Sequence, residues 1–107
     1  MQQLKINNGR IITPNGIIPN GTILITGSTI TAVSEKQIES QDASQIDAQG
    51  KYISPGFIDI HVHGGGGFDF MDGTKAAFLR IAETHAQYGT TAMLPTTLTS
   101  TKEEMLQ

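Results

Sequence analysis

The first half of the chain alternates short apolar runs with turn-forming residues. β-branched residues dominate two of these runs, residues 22–26 and 29–33, and only Gly27 and Ser28 separate them. A two-residue loop that begins with glycine is typical of a type II′ hairpin turn. We therefore expect antiparallel strands in this half of the chain.

Other turn signals divide the same half into further short strands. Asn8-Gly9 predicts a tight hairpin turn between two of them, and Pro-Asn-Gly triplets that begin at Pro14 and Pro19 predict two more breaks. Residues 35–45 are polar and have no periodic pattern, so we expect a surface loop there, with a poor helix as the alternative.

The periodicity changes in the second half of the chain. Residues 57–62 form a short apolar run that Asp59 interrupts on one face, which is typical of a strand buried on both sides. Residues 74–88 have the spacing of an amphipathic helix, and residues 90–95 predict another strand. This order of elements predicts a parallel strand–helix–strand unit.

Two helix starts are visible in the second half. Asp72 or Thr74 can cap the first helix, and Gly89 is placed to end it. Ser100 and Thr101 each precede a glutamate by three residues, the capping-box pattern of a second helix. The predicted apolar face of the first helix consists of Phe78, Ile81, Ala82, His85 and Ala86.

These elements predict two regions with different architectures. We expect residues 1–54 to form a small β segment and residues 55–107 to form the start of a parallel α/β structure. Parallel pairs need helices on both faces or closure into a barrel. We therefore expect the chain to be the N-terminal part of a larger protein.

Composition narrows the classes of function. The 107 residues carry a net charge of -3, and their seven lysines and arginines are scattered, which argues against a nucleic-acid partner. The absence of cysteine excludes disulfides and fits a reducing cytoplasm. No apolar stretch approaches the roughly 20 residues that span a bilayer. We predict a soluble cytoplasmic protein that binds neither nucleic acid nor membrane.

Candidate chemistry is concentrated at the end of the predicted strand 57–62. His61 and His63 lie one residue apart, so a strand would project both side chains from the same face. Two imidazoles so placed can bind one divalent ion at about 2.0–2.1 Å. An isolated His-x-His more often holds no metal, but the Pro-Gly before this strand and the glycines after it favour a metal site.

Asp59 would lie one layer deeper on the same face as the two histidines. Its carboxylate is expected to accept a hydrogen bond from a ligand histidine or from a neighbouring backbone group. The alternative is a carboxylate that is held by structural hydrogen bonds alone.

A string of four glycines follows the histidine pair. It does not form a P-loop, because no Gly-Lys-Ser/Thr sequence follows it. A turn that gives a substrate close approach to the backbone is the functional interpretation, and a simple connector is the alternative. We expect Asp69 and Asp72 to be loop or capping carboxylates and His85 to be packed, not catalytic. The candidate substrate-loop residues are Gly64, Gly65, Gly66 and Gly67.

Residues 55–63 resemble the first barrel strand of the amidohydrolase superfamily, and residues 64–72 and 88–97 resemble its N-acetylglucosamine-6-phosphate deacetylase family. The resemblance covers essentially the whole chain. It implies an α/β fold, in which an N-terminal β-sandwich segment precedes the first β-α-β units of a TIM-like (β/α)8 barrel, truncated as the second barrel helix begins.

The resemblance also implies a reaction and a metal. The reaction is hydrolysis of the N-acetyl group of N-acetylglucosamine 6-phosphate, an amino-sugar phosphate, to glucosamine 6-phosphate and acetate. His61 and His63 match metal ligands of the family, for a divalent ion such as Zn, Fe or Mn, with one or two ions per full-length subunit. No catalytic residue of the family falls within residues 1–107. We therefore expect these residues alone to be inactive and the full-length protein to be a homodimer.

Two other functions stay open from the sequence. The first is another amidohydrolase activity, such as that of a dihydroorotase, a hydantoinase or a deaminase, although the glycine-rich continuation after His63 argues against it. The second is a non-catalytic β-rich module that retains the histidine pair.

Overall fold

The computed structural model describes residues 2–106, and the chain divides into two compact units, Met1–Pro55 and Gly56–Gln107. The boundary predicted between residues 54 and 55 lies one residue before this division. The fold is sheet-rich α/β, as predicted, whereas the barrel that the resemblance implies stays a prediction. No helix within residues 2–106 is long and apolar enough to cross a membrane.

The first unit is a five-stranded sheet. Its strands are β1 (Gln3–Thr13), β2 (Gly16–Thr26), β3 (Thr29–Ser34), β4 (Ser44–Asp47) and β5 (Tyr52–Ile53). They run in the order β3-β2-β1-β4, and β5 also pairs with β1. Strands β1, β2 and β3 are antiparallel neighbours, as predicted, whereas β4 and β5 are both parallel to β1.

The hairpin between β2 and β3 follows the sequence prediction. Thr26 pairs with Thr29, so Gly27 and Ser28 form the two-residue loop. Gly27 has a φ of 60°, and Ser28 is not among the non-glycine residues with positive φ. A positive φ at the first loop position only is the type II′ geometry.

Strand β1 passes through Asn8-Gly9 without turning, so the hairpin predicted there is wrong. Ile6 pairs with Ile23 and Gly9 pairs with Gly21, which leaves one extra residue in β1. Asn8 takes a left-handed backbone conformation with a φ of 56°, which asparagine tolerates better than most residues. The Asn-Gly signal here marks a β-bulge.

The triplet that begins at Pro19 also lies within a strand and does not end one. Gly21 pairs with Gly9 and Ile18 pairs with Ile11, so β2 has one residue more than β1 between these two pairs. Proline is tolerated at such a bulge because it has no N–H to contribute to the ladder. The extra residues of β1 and β2 lie on opposite strands, so the second restores the register that the first shifts. Thr13 pairs with Gly16, which places the turn at Pro14 and Asn15.

The first unit buries few apolar side chains. Ile11 and Ile23 are buried, together with Thr22 and the stem of Lys5. The Lys5 Nζ donates to the carbonyl of Ile38 at 3.3 Å, so it ties the sheet to the loop that follows β3. This loop contains no helix and ends at residue 43, two residues before the predicted end, because β4 begins at Ser44. An open apolar groove of about 410 Å³ is lined by side chains that include Ile6, Ile12, Ile25, Ile30, Val33 and Ile53.

The second unit contains the predicted strand–helix–strand order. Its elements are β6 (Phe57–Val62), β7 (Gly64–Gly65), β8 (Phe68–Asp69), a 3-10 helix (Phe70–Asp72), α1 (Lys75–Ala86), β9 (Thr90–Pro95) and α2 (Lys102–Met105). Strands β6 and β9 pair in parallel, and β7 and β8 form a small antiparallel hairpin between β6 and α1.

Strand β6 is not buried on both sides, which corrects the sequence prediction. Only Val62 is buried, whereas Phe57, Ile58 and Ile60 are 62%, 69% and 73% exposed. Parallel sheets bury both faces when helices cover both. Within the described residues, β6 pairs with β9 alone, and α1 is the one long helix of this unit.

Helix α1 packs on the β7–β8 hairpin, and this contact selects its buried face. Ala77 and Ile81 are fully buried, whereas Phe78, Ala82 and Ala86 are exposed, so the predicted apolar face is wrong at these last three positions. The helix begins as predicted at Thr74, whose hydroxyl accepts from the Ala77 N–H at 3.1 Å.

Helix α2 also begins at a predicted position. Thr101 is its N-cap, and Thr101 and Glu104 form the capping box.

Candidate functional site

The histidine pair lies at the end of strand β6. His61 is in the strand and is exposed, and His63 follows the strand and is half-buried. Their ring centroids are 4.9 Å apart, and the ring planes meet at 83°. The structure therefore brings the two imidazoles together, as the i, i+2 spacing predicts.

The Asp59 carboxylate is hydrogen-bonded to the backbone of His61. Its Oδ1 atom accepts from the His61 N–H at 3.1 Å. The carboxylate thus bonds to a neighbouring backbone group, which is one of the two partners expected from the sequence. A part for Asp59 in metal binding stays a prediction.

The ring of His63 contains an unpartnered nitrogen. Its Nδ1 is the single buried side-chain nitrogen or oxygen without a hydrogen-bond partner in the described part of the chain. An unmade hydrogen bond of this kind costs about 1–3 kcal/mol, and such groups are found where an ion or a catalytic function accounts for them. A metal ion is one group that would use this nitrogen.

The two imidazoles fit a divalent metal as part of a ligand set. Zinc takes three or four protein ligands, and imidazole nitrogen is among its preferred donors. In residues 2–106, no group of three or more His, Cys, Asp or Glu side chains is arranged to hold a metal. The pair can therefore supply two ligands, and the described residues do not complete the site.

The glycines after His63 form an ordered hairpin, not an open loop. Gly64 pairs with Asp69 and Gly65 pairs with Phe68. Gly66 and Gly67 make the turn with φ values of 62° and 85°, which side chains other than glycine and asparagine rarely adopt. A role for these glycines as a substrate loop stays a prediction.

Asp69 and Asp72 cap the short 3-10 helix that follows the hairpin. The Asp69 Oδ1 accepts from the Met71 N–H at 2.8 Å, and the Asp72 Oδ2 accepts from the Asp69 N–H at 2.9 Å. This reciprocal capping box confirms that the two carboxylates are caps. Asp72 does not cap the long helix, which was one of the two starts predicted.

His85 is packed against the glycine hairpin. Its Nε2 lies 2.9 Å from the carbonyl oxygen of Gly64, which confirms the predicted packing and adds a partner that sequence reasoning missed. The two residues are 21 positions apart, in a helix and a hairpin. No local pattern announces this bond.

The relatives of the chain are hydrolases of one class, the amidohydrolases. The chain is 34% identical over 99 residues to the N-acetylglucosamine-6-phosphate deacetylase of Bacillus subtilis, which covers 92% of this chain and 25% of that protein. It is 38% identical over 107 residues to the dihydroorotase of Bacillus subtilis, which covers 94% of this chain and 23% of that protein. No family model matches the chain.

A solved structure gives the same result for the fold. The crystal structure of N-acetylglucosamine-6-phosphate deacetylase from Pasteurella multocida superposes with a TM-score of 0.87 at 30% identity, over 97% of this chain and 28% of that one. The resemblance of the chain to the N-acetylglucosamine-6-phosphate deacetylases is thereby confirmed. The chain spans about a quarter of the length of the curated relatives.

Proposed function

We propose that the chain is part of a metal-dependent N-acetylglucosamine-6-phosphate deacetylase, to which it contributes the first two metal ligands. The observation that carries the proposal is the histidine pair at the end of β6, with its rings 4.9 Å apart. Similarity to deacetylases in both sequence and fold supports it.

The reaction we propose is hydrolysis of the N-acetyl amide of an amino-sugar phosphate, which gives glucosamine 6-phosphate and acetate. His61 and His63 would hold a divalent ion such as Zn, Fe or Mn, which when bound polarises a carbonyl and lowers the pKa of water. Asp59 fixes the backbone of His61 and so limits how far that ligand can move.

We do not assign a general base to the described residues, so the proposal requires further protein to complete the active site. The TIM-like barrel, the homodimer and the cytoplasmic location are parts of the same proposal and stay predictions. We accordingly propose that the 107-residue chain alone does not hydrolyse the substrate.

The second candidate function is dihydroorotase activity, or another amidohydrolase activity. It is favoured by the 38% identity to the Bacillus subtilis dihydroorotase. This enzyme class also hydrolyses amides with metal ions, so the histidine pair does not separate the two functions.

The test uses a protein of the relatives' length that contains this chain. We expect acetate release from N-acetylglucosamine 6-phosphate and no turnover of dihydroorotate. We expect the variants His61→Ala and His63→Ala to lower kcat/KM by at least about 100-fold, because a ligand is lost from the metal. Gln87→Ala, at an exposed position just after α1, is the control and should leave the rate unchanged.

Turnover of dihydroorotate without acetate release would refute the deacetylase and favour the second candidate. Full activity of both histidine variants would refute the metal role of the pair.

A further inference from the structure

Three successive carbonyl groups around His63 are each bonded by a donor from a different part of the second unit. They belong to Val62, His63 and Gly64, the residues that carry the chain out of β6. Their donors are, in order, the Thr96 N–H at 2.8 Å, the Phe70 N–H at 2.9 Å and the His85 Nε2 at 2.9 Å.

Two of these donors are backbone groups, and the third belongs to a side chain. The bond to Gly64 therefore depends on which residue occupies position 85. Since a carbonyl oxygen can only accept, the His85 Nε2 must carry the hydrogen. The bond thus specifies the Nε2–H form of the ring.

The surroundings of His85 fit this single task. The ring is half-buried on the face of α1 that packs on the hairpin, one turn after the fully buried Ile81. A Cβ atom at Gly65 would lie 2.8 Å from the Nε2 atom, closer than such atoms approach. Glycine at position 65 therefore lets the imidazole reach the carbonyl of Gly64.

We propose that His85 is a positioning residue for His63. By holding the carbonyl of Gly64, it fixes the peptide that follows His63 and keeps the His63 ring beside that of His61. This inference rests on the proposed function insofar as His63 is a metal ligand. It assigns His85 no contact with the metal or with the substrate.

The test uses isothermal titration calorimetry to measure zinc binding by a protein of the relatives' length that contains this chain. We expect His85→Ala to weaken zinc binding about 10-fold or more, which is the usual effect of removing a group that orients a ligand. His85→Gln places an amide donor at a similar reach and should recover most of the affinity. Glu83→Ala, on the exposed side of the same helix, is the matched control and should bind as the original chain does.

A second measurement does not need metal. NMR of the ring nitrogens should show His85 protonated at Nε2, and contacts between the rings of His61 and His63 should be lost in His85→Ala and retained in His85→Gln. Circular dichroism shows which variants fold. If His85→Ala does not fold, the ring nitrogen of His85 that carries the hydrogen in the unsubstituted protein decides the question. A hydrogen on Nε2 supports the positioning role, and a neutral ring with its hydrogen on Nδ1 overturns it.

The outcomes separate the two proposals. If the unsubstituted protein of the relatives' length does not bind zinc but the ring contacts depend on position 85, the positioning role stands and the metal role of the pair fails. If zinc affinity and ring contacts are unchanged in His85→Ala, or if His85 is neutral with its hydrogen on Nδ1, the positioning role is overturned.

Discussion

The two units of the chain complete their sheets in different ways. The first unit joins β1, β2 and β3 by two-residue turns, and a fourth and a fifth strand then pair with β1. The second unit contains a parallel pair, β6 and β9, whose connection includes the hairpin and helix α1. Antiparallel strands can pair across a tight turn, whereas parallel strands need a long crossover.

This difference affects strand β6, at whose end the histidine pair lies. Strand β6 presents Phe57, Ile58 and Ile60 to solvent. Its last residue, Val62, and the two residues that follow it nevertheless each accept a hydrogen bond at the backbone carbonyl. The backbone at the candidate site is therefore held by these hydrogen bonds and by α1, not by burial of strand β6. The first unit, by contrast, obtains its order from the sheet ladder itself.

The largest expected effect is on the packing of α1. Ile81 is fully buried, so Ile81→Ala should lower the free energy of unfolding by about 2–5 kcal/mol through lost contacts and a cavity. Ile60→Ala, at a position 73% exposed, should change it by less than about 0.5 kcal/mol. Urea denaturation measures both. Equal effects at the two positions would contradict the burial difference.

The next effect concerns the glycine hairpin. A Cβ at Gly64 would overlap the carbonyl oxygen of Phe68, whereas one at Gly67 would meet open space. We expect Gly64→Ala to cost about 1–3 kcal/mol and to break the β7–β8 pairing. Gly67→Ala should show only the strain of a positive φ, about 1–2 kcal/mol, and keep the pairing. Hydrogen exchange of the Gly64–Asp69 hairpin amides measures the pairing.

If both glycine variants lose amide protection equally, backbone strain and not the close approach at Gly64 governs the hairpin.

The smallest effect is a titration in the first unit. The Gln49 N–H and the Asn8 side chain, each 2.8 Å from the Asp47 Oδ1, hold the pKa of Asp47 below its ordinary value of 3.8. A carboxyl whose pKa is lower in the folded state stabilises that state above the unfolded pKa, and this contribution is lost as the pH falls through the folded pKa.

Asn8→Gly removes the amide donor and still tolerates the left-handed backbone at that position. We expect it to raise the pKa of Asp47 toward 3.8 without reaching it, because the Gln49 N–H remains. Carboxyl carbon NMR measures the titration. An unchanged pKa in the variant would show that the Asn8 contact does not persist in solution.

Local chemistry predicted part of this fold and missed what depends on distant partners. Gly27-Ser28 makes the predicted turn, but Asn8-Gly9 does not. Strand β1 continues past it with one extra residue, and one extra residue between Ile18 and Gly21 on β2 restores the register. Both dipeptides are hairpin-turn signals, and the pairing with the neighbouring strand distinguishes the one that turns from the one that does not. No pattern within β1 contains that information.

The candidate site shows the same division. The spacing of His61 and His63 predicts adjacent rings, since a strand fixes the direction of side chains two residues apart. The helical period likewise predicts α1 but not its buried face, which depends on the hairpin that it covers. The bond from His85 to Gly64 follows from that packing and is therefore visible only in the folded chain.

The parallel pairing of β4 with β1 has a consequence for the order of folding. Leu4 pairs with Ser44, forty positions later in the chain (44 − 4), whereas Thr26 and Thr29 meet across a two-residue turn. The entropy lost on closing a loop rises with its length, and non-local pairing slows folding. We therefore expect β1, β2 and β3 to nucleate the sheet and β4 to join it late, when the Lys5 side chain can also capture the loop between β3 and β4.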